Sequence, residues 1–167
     1  MVSHFLVSSI SHLFRKIKIF SKMRNRKLFY RLLLTFTPAA ADTILRFFEE
    51  TGASPGDYDR VFTGDLGHYG SELLKNLLEA DEFSLDGKHR DCGKLIYDRE
   101  RQDMHGGGSG CGCVASVLSG YILKKLHFGE WKKVLVIGTG ALLSATSAGQ
   151  GLSIPSVAHL IEIERVF

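Results

Sequence analysis

The stretch GGGSGCGC, residues 106–113, is the part of the sequence on which the predicted fold depends. Seven of its eight residues are glycine or cysteine, and an apolar pattern with helical spacing follows at once. The apolar positions of that pattern are Val114, Val117, Leu118, Tyr121, Ile122 and Leu126. A first turn made of Gly, Ser and Cys has little side-chain bulk, so its N–H groups can approach another backbone or a ligand. The pattern predicts a buried helix that points its N-terminus into a pocket and ends near Gly129.

Apolar residues before this stretch predict two further helices. Helical spacing is present in residues 41–48, before Gly52, and again in the leucines of residues 73–78. The intervening residues 64–70 are rich in glycine and predict a loop. Residues 81–93 are polar, and we expect them to form a surface loop.

Four segments have the patterns of strands. Residues 60–63 and 94–97 are short candidates, and the apolar run at 132–138 is typical of a strand covered on both faces. Residues 157–163 alternate with a period of two. Helices and strands that alternate in this way predict an α/β layered domain, with a mixed sheet flanked by helices.

The charge of the chain is distributed unevenly. Of 167 residues with a formal net charge of +3, residues 1–41 hold eight Lys or Arg and no acidic residue. We therefore divide the chain into a basic N-terminal segment, 1–37, and a domain, 38–167. Residues 1–20 have the pattern of a basic amphipathic helix on an anionic membrane, and an unstructured segment is the alternative. No apolar run is long enough for a spanning helix, and three cysteines fit a reducing compartment better than a disulfide framework.

Several motifs in the domain agree in order and spacing with one known family. They are PAAADTI at 38–44, DYD at 57–59, TGDLG at 63–67, the glycine stretch, GTGALLS at 138–144 and IPSVAH at 154–159. From residue 38 onward the chain resembles the C-terminal part of stage V sporulation protein AD, a thiolase-like family. The resemblance implies a fold of two similar halves, of which this chain has the second. Residues 1–37 do not resemble the first half, and a frameshift, a misplaced start or a gene fragment would each explain them.

The resemblance also implies a function and a set of partners. The family is associated with moving dipicolinic acid into the developing spore, together with membrane proteins of the same operon. The expected ligand is dipicolinic acid, alone or with calcium, and the expected location is the cytoplasm or the surface of the spore inner membrane. We expect no resident cofactor, no metal site and no nucleic-acid partner. A half-scaffold should expose apolar surface, which predicts packing against the missing half or self-association.

Two other functions are alternatives to ligand binding. Thiolase-like enzymes use a Cys nucleophile from the first half and His or Asn residues from loops of the second half. Here Gly64-Asp65 stand where a ketoacyl synthase would place His, and His105-Gly106-Gly107 stand where the enzyme motif begins Gly-Asn. We therefore assign no catalytic residue and keep a thiolase-type acyltransferase as one alternative. A membrane-associated interaction module is the other.

Six residues are predicted to bind the ligand, because glycine N–H groups and a helix N-terminus suit a carboxylate without requiring a cation. They are Asp65, His105, Gly107, Gly108, Ser109 and Cys111. His105 would add a hydrogen-bond donor. The Asp65 carboxylate would repel a free dianion, but it would suit a backbone N–H or a calcium ion carried by the ligand. Alternatively, Asp65 caps the helix that follows it.

The cysteines and one histidine have competing interpretations. Cys111 and Cys113 could form a nucleophile pair, or could bind a metal with Cys92 and His105, although their C-x-C spacing is not the usual zinc pattern. A helix N-terminus would lower the pKa of a thiol. Simple burial of small residues beneath the helix is the favoured interpretation. His159 lies among the apolar residues of the last predicted strand and is expected to be buried.

Overall fold

The computed structural model describes residues 14–20, 36–104, 106–108, 110, 112–141, 150 and 155–166. Within these residues five strands form one sheet: β1 (Phe14–Phe20), β2 (Arg60–Thr63), β3 (His89–Asp91), β4 (Lys133–Ala141) and β5 (Ser156–Arg165). Their order across the sheet is β1-β5-β4-β2-β3. Strand β2 pairs in parallel with β3 and β4, whereas β5 is antiparallel to both β4 and β1. The sheet is therefore mixed.

Helices cover both faces of this sheet. Helix α1 (Phe36–Thr51) and helix α2 (Gly67–Ala80) pack on one face, where Ile44, Phe47 and Leu74 meet Leu135 of β4. The short helix α3 (Cys92–Leu95) follows β3 directly. Helix α4, residues 113–127, packs on the opposite face, where its buried side chains meet Phe62, Val134 and Val136. The predicted α/β class, with a mixed sheet flanked by helices, is confirmed.

Strand β4 lies at the centre of the core. Val134, Leu135, Val136 and Ile137 are all buried, although successive side chains in a strand point to opposite faces. Leu135 and Ile137 pack with α1 and α2, while Val134 and Val136 pack with α4. The prediction of a strand covered on both faces is confirmed, and the carboxyl ends of β4 and β2 lie at the same edge of the sheet.

Helix α4 is continuous and contains a π-helical turn in its middle. It consists of an α-helical segment (Cys113–Val117), a π-helical turn (Leu118–Ile122) and a second α-helical segment (Leu123–His127). As predicted, it ends next to Gly129, whose φ of 77° is a conformation that favours glycine. The prediction of a buried helix is wrong in part. Ile122 and Leu126 are fully buried, but Tyr121 is 40% exposed, so only one face of α4 is covered by the described residues.

Three other predictions differ from the structure. The strand expected at 94–97 is wrong, because the Asp91 side chain accepts from the Gly93 N–H and so starts helix α3. The strand is β3, inside the segment expected to be a surface loop, and it pairs with β2 through backbone groups that polar residues also possess. Both interpretations of residues 1–20, an amphipathic helix and an unstructured segment, are wrong at Phe14–Phe20, which form β1 against β5. Residues 1–13 of those interpretations lie outside the described residues.

Candidate functional site

A buried carboxylate, Asp91, organises the carboxyl edge of the sheet. Asp91 is the last residue of β3 and is 2% exposed. Its Oδ2 accepts from the Thr63 hydroxyl and the Leu66 N–H, each at 2.9 Å. Its Oδ1 accepts from the Gly67 N–H at 2.8 Å and from the Gly93 N–H at 3.1 Å. Burial raises the pKa of this carboxyl, whereas the hydrogen bonds oppose that effect.

These hydrogen bonds fix the loop between β2 and α2. The N–H groups of Leu66 and Gly67 belong to the first turn of α2, where the helix supplies no acceptor for them. The Asp91 carboxylate supplies the acceptor from a neighbouring strand. The suggestion that Asp65 caps α2 is therefore wrong. Asp91 was not among the residues predicted from the sequence, and the usable signal was an aspartate two residues before a glycine, the pattern of an N-cap.

Asp65 instead joins three segments of the chain. Its Oδ1 accepts from the Thr139 hydroxyl at 2.6 Å, and its Oδ2 accepts from the Gly110 N–H at 2.8 Å. Thr139 lies near the end of β4, and Gly110 belongs to the glycine stretch. The carboxylate therefore ties the loop after β2 to the end of β4 and to the segment that precedes α4. Gly64 permits this approach, because a Cβ there would lie 2.8 Å from the Thr139 hydroxyl oxygen.

The glycine stretch packs backbone against backbone. Gly106 accepts from the His68 N–H at 2.7 Å, and the Gly108 N–H donates to the Gly93 carbonyl at 2.7 Å. A Cβ on Gly67 or Gly93 would overlap the carbonyl groups of Gly106 and Gly108, respectively. The close approach predicted for this stretch is therefore to another backbone. Only residues without a side chain allow such contacts.

The predicted ligand-binding residues have mixed outcomes. Asp65, Gly107 and Gly108 lie at one edge of the sheet, whereas His105, Ser109 and Cys111 lie outside the described residues. The N–H groups of Gly107 and Gly108 already donate to carbonyls of Met104 and Gly93. These two amides hold the loop itself, so a carboxylate at this edge needs other donors.

Cationic side chains stand beside the glycine stretch. Burial lowers the pKa of His68, and the positive charges of Lys94 and Arg99 lower it further. His68 is also the residue that donates its backbone N–H to Gly106. The charges of Lys94 and Arg99 therefore act on a residue beside the glycine stretch, at an edge that also holds the carboxylates of Asp65 and Asp91.

A half-buried histidine, His89, extends the hydrogen-bond network of Asp91. Nε2 of His89 lies 2.9 Å from the Thr63 hydroxyl oxygen, which itself donates to Asp91. Burial, with the charges of Lys94 and Arg90, lowers the pKa of His89 to about 4. The ring is neutral at physiological pH. By contrast His159, which the sequence analysis expected to be buried, is exposed on β5.

The two described cysteines have the properties of core residues. Cys92 and Cys113 are buried free thiols; Cys113 is the first residue of α4, and Cys92 belongs to the same buried cluster. Burial, together with the negative charge of Asp91, raises the pKa of Cys92 to about 12 and that of Cys113 to about 11. The lowered thiol pKa expected at the start of α4 is therefore wrong for Cys113. Among the described residues no cluster of His, Cys, Asp or Glu is suited to a metal ion.

Comparison with known proteins supplies the family. The model of the family described as "Stage V sporulation protein AD" matches residues 32–164. The chain belongs to this stage V sporulation protein AD family. A relative from Bacillus subtilis (strain 168), named stage V sporulation protein AD, is 44% identical over 128 residues, which are 77% of this chain and 38% of that relative.

Membership of the stage V sporulation protein AD family makes the chain a sporulation protein. The chain spans well under half the length of the curated relative that it matches. The match includes the loop after β2, the glycine stretch and β4, and thus all the segments that Asp65 and Asp91 join. Within the described part of the chain, no helix combines the length and apolar character needed to cross a membrane.

Proposed function

We propose that the complete protein binds dipicolinic acid at the carboxyl edge of β2 and β4 and takes part in its uptake into the developing spore. The observation that carries this proposal is the position of Lys94, which follows Gly93, whose carbonyl accepts from the Gly108 N–H of the glycine stretch; with Arg99 it also acts on the neighbouring His68. Dipicolinic acid is a flat dianion, and cationic side chains beside this edge of the sheet would attract and orient such a ligand. Ligands of open α/β sheets bind at the carboxyl ends of the strands, which is where these residues lie.

The position of Asp65 is compatible with an anionic ligand. A bare carboxylate would repel dipicolinate, but this one accepts hydrogen bonds from Thr139 and Gly110. Those donors partly neutralise its charge and keep it turned toward the protein. If the ligand arrives with calcium, a carboxylate such as that of Asp65 is the type of ligand that this ion prefers. The predicted donors His105 and Ser109 would complete the site around the ligand.

The proposal includes a location and partners. We infer that the protein acts at the surface of the spore inner membrane, together with membrane proteins encoded in the same operon. The support is membership of the family and the resemblance of the motifs at 38–44, 63–67 and 138–144. In this role the protein is a binding protein on an enzyme-like scaffold.

Ligand-induced stabilisation tests the proposal. The full 167-residue chain and the full-length relative are titrated with dipicolinate, with and without calcium, while the melting temperature and the heat of binding are measured. Benzene-1,3-dicarboxylate has the same two carboxylates but no ring nitrogen, and it serves as the control ligand. We expect dipicolinate to raise the melting temperature more than this control does. Absence of stabilisation at saturating dipicolinate in both proteins would disprove the proposal.

Charge substitutions locate the site. Lys94→Gln with Arg99→Gln should weaken dipicolinate binding roughly tenfold, because two nearby charges are removed from a partly exposed edge. Lys75→Gln is the matched control, since Lys75 lies on the exposed face of α2 in an ion pair with Glu79. Equal affinities for the double variant and the control would place the ligand elsewhere on the protein.

A further inference from the structure

The end of helix α4 carries an exposed aromatic side chain among positive charges. Phe128 follows the last residue of α4 and is 72% exposed, more than any other large hydrophobic side chain of the described residues. Residues 120–133 contain four lysines and one carboxylate, Glu130. Lys124 and Lys132 are exposed on either side of Phe128 in the sequence. We call Tyr121, Lys124, Phe128 and Lys132 the Phe128 end.

The charge of the Phe128 end is positive. Glu130, the one carboxylate among residues 120–133, pairs with Lys125 at 2.6 Å, so that this pair is neutral as a whole. The Asp59 carboxylate accepts from the Lys132 N–H at 2.6 Å, so the cations Lys124, Lys132 and Arg165 are opposed here by one further negative charge. The guanidinium of Arg165 lies against the backbone of Gly129, a contact that the absence of a Cβ permits. The last carbonyls of α4 carry a partial negative charge, which stabilises the nearby lysine ammonium groups but is too small to neutralise them.

We propose that the Phe128 end docks on an anionic phospholipid bilayer. An exposed apolar side chain alone does not identify a partner, but an exposed phenylalanine among lysines is typical of a surface that binds anionic membranes. A phenylalanine ring inserts at the boundary between headgroups and acyl chains, while lysines bury their stems and keep their ammonium groups at the phosphates. Each lysine near an anionic membrane surface strengthens binding by about fivefold, which corresponds to about 1 kcal/mol. Tyr121, 40% exposed on the preceding turn, has the amphipathic ring that interfaces favour.

This orientation leaves the proposed ligand site in water. Helix α4 spans 15 residues, roughly 22 Å, between the glycine stretch and the Phe128 end. Strand β4 runs in the opposite direction, because it begins next to Lys132 and reaches Thr139, the partner of Asp65, near its far end. The membrane-facing end and the ligand-binding edge are therefore opposite ends of the same two elements. Docking rests on the membrane-surface location in the proposed function and specifies the surface involved. It does not depend on ligand binding, so a failure of docking and a failure of dipicolinate binding are distinguishable.

Site-specific quenching in vesicles tests the docking. Trp131 is the one tryptophan of the chain and is replaced by phenylalanine to give a silent background. Phe128→Trp is then compared with Tyr69→Trp, a matched control, because Tyr69 is 62% exposed but far along the chain from the Phe128 end. Phosphatidylglycerol vesicles that contain brominated acyl chains quench a tryptophan only when it enters the bilayer. The full 167-residue chain is used throughout, so residues 1–37 are the same in both proteins.

The expected result is strong quenching at position 128 and little at position 69. Phosphatidylcholine vesicles of the same bromine content should quench position 128 much less, because they carry no net charge. Lys124→Gln with Lys132→Gln should weaken sedimentation with phosphatidylglycerol vesicles by about 25-fold. Equal quenching at the two positions, or none at position 128, overturns the proposal. The second outcome is also what a protein partner at this end would give.

Discussion

Replacement of Asp91 by alanine should destabilise the protein strongly. The substitution removes the acceptors of the Thr63 hydroxyl and of three backbone N–H groups, those of Leu66, Gly67 and Gly93. A buried donor without a partner costs about 1–3 kcal/mol. The costs are not additive, because the loop can shift and admit water, so we expect the free energy of unfolding to fall by about 3–5 kcal/mol.

Urea unfolding of the full chain, followed by circular dichroism and by the fluorescence of Trp131, measures this effect. Asp59→Ala is the matched control, because Asp59 also accepts two backbone N–H groups, those of Lys132 and Lys133, at 2.6 and 2.8 Å. Asp59 is half-exposed, so water can replace its carboxylate, and a loss of about 1 kcal/mol is expected. The loss of stability in Asp91→Asn should lie between those of the two alanine variants, since the asparagine amide nitrogen would face one of the donors that the carboxylate now accepts from. An Asp91→Ala variant no less stable than Asp59→Ala would refute the reasoning.

Three further predictions follow from burial and close packing. His89→Gln should flatten the pH dependence of stability. In wild type, the His89 ring takes up a proton near pH 6.5 when the chain is unfolded but only near pH 4 when it is folded, so protonation favours the unfolded state. As pH falls between these values, the free energy of unfolding of wild type should therefore fall by about 2–3 kcal/mol relative to the variant, as measured by urea midpoints. In a Cys111→Ser variant, iodoacetamide at pH 8 should alkylate Cys92 and Cys113 at least about 100-fold more slowly in the folded than in the unfolded protein, because the pKa of each thiol is raised. Rapid labelling of the folded chain would restore the nucleophile hypothesis. Gly93→Ala should cost more than about 3 kcal/mol or prevent folding, whereas Gly120→Ala, with open space around its Cβ, should be neutral or stabilising in the same thermal melt.

Apolar periodicity predicted the layers of the fold well. The run in β4 and the stripe of α4 are long and strongly patterned, and both elements were found where they were expected. Apolar periodicity did not predict elements in which polar residues pair through their backbone groups. Strand β3 has three polar residues, and nothing local distinguishes it from a loop, because its pairing with β2 depends on a segment 28 residues away.

The candidate site was predicted less completely than the fold. The motif around Asp65 was found because its residues are contiguous, but its hydrogen bonds to Thr139 and Gly110 are separated by 74 and 45 residues in the sequence. The role of Asp91 depends on its burial, and the burial of a single polar residue cannot be predicted from its identity. The free N–H groups expected in the glycine stretch are partly used within the protein, since each loop must satisfy its own buried donors first. Self-association of the chain stays a prediction that sedimentation velocity can test.

The contact of Gly67 and Gly93 with the glycine stretch has a consequence for how this protein can change by mutation. In an ordinary core a residue that becomes too large can be accommodated when its neighbour becomes smaller. Here the neighbours of a substituted glycine are Gly106 and Gly108, and the clashing atoms are their carbonyls. No side chain is left to shorten, so a selection for second-site suppressors of Gly93→Ala should return revertants and almost no compensating changes in the opposing loop. This contact can be kept or lost, but it cannot be gradually exchanged for another.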